Sequence, residues 1–173
     1  MDPFLEVCYQ SDSWATRHLL EECCLLTQEQ FERPLGMGNG TLEHTLTHLV
    51  GAMMFFTDRL NRSAPRPRPD RDGHTHSPAE LLGYFDVIRP EFYQAVVRCT
   101  ETHALTDILN WTDSDSVPAD PEDQITYAVA LAQMLDHSIH HRAQALDMLT
   151  RLGVERPMEW HPFEWEASSR DAD

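Results

Sequence analysis

The sequence contains no lysine: all thirteen of its basic residues are arginine. That removes any mechanism needing a Schiff-base lysine or a phosphate-loop lysine from this chain. Positive charge of any kind is scarce, because 29 acidic residues set the formal net charge at -16. Such a surface repels a phosphate backbone, so nucleic acid is not expected as a partner. Long apolar runs are also missing. None approaches membrane-spanning length, and MDPFLEVCYQ opens with an acid and a proline instead of the basic start and apolar run of a secretory signal. A soluble, cytoplasmic protein without a membrane partner is the expectation. The four cysteines, Cys8, Cys23, Cys24 and Cys99, lack both metal-knuckle spacing and the density of a disulfide scaffold, and read as reduced thiols. Internal repeats and strand-like alternation are absent as well.

What the chain does have is legible helix punctuation. A length of 173 residues suits one domain with a real core. The first helix is expected from Ser13 to Leu26, with Trp14, Leu19, Leu20, Cys23 and Leu26 on its apolar face. Thr27-Gln28-Glu29-Gln30 is a capping-box pattern for a short helix before Pro34. Thr41 can cap a second long helix reaching about Asn61, and the prolines between Ser63 and Pro78 cannot continue it. Ser77-Pro78-Ala79-Glu80 marks a third start, for a helix kinked at Pro90 and reaching about His103. An irregular segment with Trp111 and the run DSDS follows; Asp120-Pro121-Glu122 then opens a fourth helix that ends at Gly153. The fold class is therefore all-α, a four-helix bundle over residues 1–157, with a frayed acidic tail over 158–173 that carries Trp160 and Trp165.

The histidines are sorted by angle, at about 100° per residue. On the fourth helix, Ile139, Leu135, Ala132, Ala128, Ala143 and Leu146 read as the middle of the core-facing stripe. His140 falls on the polar face with Gln133, Asp147 and Arg151, whereas His137 and His141 share the edge of the apolar arc beside Ala130, Met134 and Met148. On the second helix His48 flanks the core stripe with Ala52 and Phe55, while His44 and Glu43 turn outward. One inward histidine on the second helix and two on the fourth can converge between helices, where bundles build metal sites. Three imidazoles suit a divalent first-row metal and leave coordination positions open. The alternative is three half-buried polar residues bonded to water.

The stretches WATRHLLEECCLLTQEQFERPL, TLEHTLTHLVGAMMFFTDRL and LDHSIHHRAQALDMLTRLG, in that order, resemble the DinB/YfiT-like family of metal-binding four-helix bundles. The resemblance covers Trp14 to Gly153 and is most specific at HLVGA around His48 and HSIHHRAQ around His137 and His141. It implies a metal triad of His48, His137 and His141, a crossover (up-down-down-up) order of helices, and a homodimer. An apolar arc of roughly 220° on the last helix also asks for a second covering. His44 and the Arg/Pro-rich loop over residues 62–76 do not map onto the family pattern. The arginines around that loop, Arg59, Arg62, Arg66, Arg68 and Arg71, read as a solvated loop offsetting the acidic surface, with an anion-binding lip as the sharper alternative.

The resemblance implies one divalent transition metal, Zn, Ni, Mn or Fe, and a low-molecular-weight thiol cosubstrate. The expected function is a thiol S-transferase in stress or detoxification chemistry, acting on a small-molecule thiol and electrophile, with the metal activating a thiol or water. Competing readings are a metal-dependent hydrolase, a non-catalytic metal-binding stress protein of the DNA-damage-inducible kind, and an interaction module presenting Trp160 and Trp165. No residue is assigned as catalytic acid or base.

Overall fold

Asp2 and Pro3 start the first helix, α1, which runs Pro3–Cys23 in a computed structural model that describes residues 1–110, 124–155 and 160–170. The Asp2 carboxylate accepts from the Phe4 and Leu5 N–H groups at 2.8 and 3.4 Å, and proline fits the first helical position. This start lies ten residues before the expected Ser13. Ser11, Asp12 and Thr16 occupy buried positions on α1, and such polar residues break the apolar period on which the expectation rested.

The later capping signals hold. Thr27 and Gln30 form the capping box of α2, Gln28–Phe31; Thr41 caps α3, Leu42–Asn61, by accepting from the His44 N–H at 2.9 Å. Ser77 and Glu80 form the capping box of α4, Pro78–Thr102, which continues through Pro90. Strand structure was not expected. Ile108–Asn110 (β1) nevertheless pairs antiparallel with Gln124–Thr126 (β2), Ile108 lying opposite Thr126. Strands of three residues are too short for alternation to show in the sequence. The fourth long helix, α5, begins only after β2, at Tyr127, with Thr126 as its cap, and runs to Arg151 before Gly153 takes a φ of 87°. Trp111, the DSDS run and the expected start at Asp120-Pro121-Glu122 lie outside the described residues. Part of the expected frayed tail is a helix, α6, Pro162–Arg170, packed on α1 with Trp160 buried before it.

The architecture is all-α. α1 packs on α4 and α5, and α3 packs on the same two, so the order around the core is α1, α4, α3, α5. No helix among the described residues is long and apolar enough to cross a membrane.

Two burial assignments change. On α5 the buried face is Ala130, Leu131, Met134, Ala145, Met148 and Leu149, about 130° round the helix from the expected stripe. Ala128, Ala132, Ile139 and Ala143 are exposed, and Leu135 and Leu146 are half-buried. An arc apolar over so wide an angle has no single centre, and polar contacts decide the rotation. Arg142 reaches from α5 to the buried Asp12 of α1, and also bonds Ser138 at 3.1 Å and Thr16 at 3.3 Å. Burial pushes the Asp12 carboxyl up, while Arg142 acts to hold it down. Removing one partner of such a pair typically costs about 3–5 kcal/mol, enough to fix which face turns inward.

Glu43 is the second change, since its side chain is only 3% exposed. The connection between α3 and α4 folds back over it, and its Oε1 accepts from the His76 N–H at 3.0 Å and the Thr47 hydroxyl at 3.2 Å. Glu43 thereby holds the loop to α3. It anchors backbone, on a face of α3 where Thr47 and Gly51 are buried with it.

Candidate metal centre

His48 projects from α3, and His137 and His141 project from successive turns of α5, which packs against it. The three ring centroids stand 4.4 to 5.0 Å apart, and one nitrogen from each ring lies within 4.8 Å of the others. His48 Nε2 and His137 Nε2 approach to 3.1 Å. Two neutral imidazole nitrogens at that distance must share one proton, or both lone pairs must face a common cation. The group could hold a metal ion.

The nitrogens turned away from the cluster also have partners. His141 Nδ1 donates to Gln144 Oε1 at 2.9 Å, which leaves its Nε2 lone pair for the cluster. His48 Nδ1 lies 3.7 Å from Asp70 Oδ2, a carboxylate whose side chain is 8% exposed. Asp70 can sit there because position 51 is glycine. A Cβ on Gly51 would come within 2.0 Å of Asp70 Oδ1.

Electrostatics favours neutral rings. Burial lowers His137 to about 4, and the neighbouring His141, His48 and His140 add to the effect. Burial also lowers His141, against the upward pull of its bond to Gln144. Neutral imidazole is the ligating form. His140 is exposed and meets Gln144 Nε2 at 2.8 Å, outside the cluster. His44 is exposed too, 3.4 Å from Glu43 Oε2.

A cavity of about 720 Å³ opens beside the cluster, with His48 and His137 in its wall. Ala52, Phe55, Phe56 and Gln133 supply other parts of that wall, and the Phe56 ring meets the His137 ring edge-on with centroids 5.8 Å apart. The Arg/Pro-rich loop is largely exposed, Arg62 and Arg71 among its residues, but its middle closes one side of the cavity, where Arg66, Arg68 and Asp70 are half-buried and Pro69 is buried.

Reasoning from the sequence missed Asp70 and Gln144. Gln144 stands three residues after His141 in HSIHHRAQ, a spacing that puts it on the same helical face and could have revealed it. Asp70 comes from an irregular loop, where no periodicity points to its partner.

A model of the DinB family matches residues 1–169. That span takes in the start of α1 and nearly all of α6, both beyond the Trp14–Gly153 resemblance. No curated protein matches the chain.

The depressed histidines set a pH dependence for the metal-free protein. The unfolded chain protonates His137 near the ordinary value of about 6.5, whereas the folded chain resists until about 4. Between those values the unfolded state binds more protons, so stability falls as pH drops through that window and levels off below it. Urea melts of native protein and His137→Gln from pH 7 to pH 4 should show a shallower loss in the variant. Equal slopes would contradict the assignment.

Proposed function

The chain belongs to the DinB family, and from that membership we propose that it is a divalent-metal-dependent thiol S-transferase of stress or detoxification chemistry. The observation that supports this reading is the three-histidine cluster opening onto a cavity large enough for a small molecule. Three imidazole donors fit a borderline divalent ion such as Zn, Ni, Mn or Fe, and they leave positions for an exogenous ligand. When bound, such an ion lowers the pKa of a thiol or water close to neutrality.

The protein's own residues do the remaining work. His48, His137 and His141 are the proposed ligands. Gln144 fixes the tautomer of His141, and Asp70 faces the outer nitrogen of His48. Phe55 and Phe56 give the cavity an apolar wall beside His137, which lowers the local dielectric and strengthens any charge interaction there. In the proposed reaction a thiol sulfur forms a bond to an electrophilic carbon, the bond from that carbon to its leaving group breaks, and the thiol proton leaves with that group or to water. No side chain is assigned as base.

The test is a screen of metal-loaded protein with cellular thiols and model electrophiles, with mass spectrometry of the products. Thioether adducts that vanish in His141→Ala are the expected result. Addition of water without thiol dependence would identify a hydrolase instead, and metal-dependent melting without any turnover would leave a structural or sensing site.

We also propose a homodimer through the outward face of α5, where Ala128, Ala132, Ile139 and Ala143 form an exposed apolar row. Light scattering should give twice the chain mass at micromolar concentration. A monomer there, with a melting temperature independent of concentration, would rule it out.

A further inference from the structure

The cavity beside the histidine cluster carries an unusual charge for this protein. Four of the thirteen arginines line it: Arg59 from α3, and Arg66, Arg68 and Arg71 from the connection to α4. Among the described residues two acids, Asp58 and Asp70, line the same space. Among the described residues the wall therefore carries more arginine than acid, in a molecule of net charge -16. A cleft of one sign with low-dielectric walls concentrates field on whatever enters.

The four guanidiniums are not equivalent. Arg66 is committed to structure: its Nε bonds Asp58 at 2.8 Å and its Nη1 bonds Glu91 at 2.7 Å. Arg59 and Arg68 are held over one aromatic ring, their Cζ atoms 5.0 and 5.2 Å from the Phe55 centroid. That arrangement orients two planar forks along the cavity wall. Arg68 contacts Asp70 through Nε at 3.2 Å and Nη2 at 3.3 Å, so part of its fork is already taken. Arg71 is 75% exposed, and its Nε lies 3.7 Å from Asp70 Oδ2.

The loop bearing these groups is pinned. Asp58 accepts from the Arg66 N–H at 3.0 Å at one end, Glu43 accepts from the His76 N–H at the other, and Pro65, Pro67 and Pro69 restrict φ between them. A charged site ordered before binding loses less entropy when a ligand arrives.

We infer that this cavity binds the anionic end of the substrate, a carboxylate or phosphate, through Arg68 and Arg71, and directs the rest of the molecule toward His48 and His137. The substrate class of the proposed enzyme is thus an organic acid or phosphate ester. The reacting end rests on the thiol-transfer reading; the anion site does not.

Calorimetric titration of the metal-free full chain separates the two. Succinate or inorganic phosphate should bind at one site per chain, more weakly as salt rises, with neutral succinamide inert. Affinity should fall about tenfold in Arg68→Gln and in Arg71→Gln, the second being an exposed change that leaves packing alone. No binding to the native chain, or equal binding in both variants, overturns the inference. Anion binding without thiol turnover would sink the proposed function and leave this site standing. Where turnover is measured, a lower KM for mercaptosuccinate than for mercaptoethanol places the anion on the thiol, and a lower KM for iodoacetate than for iodoacetamide places it on the electrophile. Absence of both advantages overturns the inference.

Discussion

The approach of His48 Nε2 to His137 Nε2 at 3.1 Å is the constraint on which the rest of the centre depends. It joins α3 to α5 at a point where both rings are partly desolvated, and it tolerates at most one proton between the two nitrogens. With His141 added, full protonation would set three positive rings within 5.0 Å of one another. The burial that lowers His137 and His141 keeps them neutral, and neutral lone pairs that converge are what a cation requires.

Holding three rings in that geometry takes support from outside the cluster. The Asp12–Arg142 pair sets the rotation of α5 and so decides that His141 faces inward and His140 outward. Gly51 opens the space in which Asp70 approaches His48, and Glu43 holds the loop that delivers Asp70. The same loop places the arginines along the cavity. One irregular connection thus reaches both the outer nitrogen of a cluster histidine and the wall of the cavity beside it.

Much of the fold was legible wherever a local rule decides it. Capping at Thr27, Thr41 and Ser77 depends on a few adjacent residues, and the helices start there. The position of the histidine cluster was legible too, because i, i+4 spacing survives an error in helix rotation: His137 and His141 share a face wherever that face points. The rotation of α5 was not legible, since its apolar arc offered two faces and a long-range ion pair chose between them. Nor was the burial of Glu43, which depends on a loop returning across more than thirty residues of chain. β1 and β2 escaped notice because pairing across a long separation leaves no short-range period.

The central claim is that His48, His137 and His141 together hold one divalent ion, and elemental analysis of reconstituted protein tests it most directly. About one ion per chain is expected in the native protein and in His140→Ala, with near-complete loss in His48→Ala, His137→Ala and His141→Ala. A native protein that binds no divalent ion, or His140→Ala losing as much metal as His141→Ala, would contradict it.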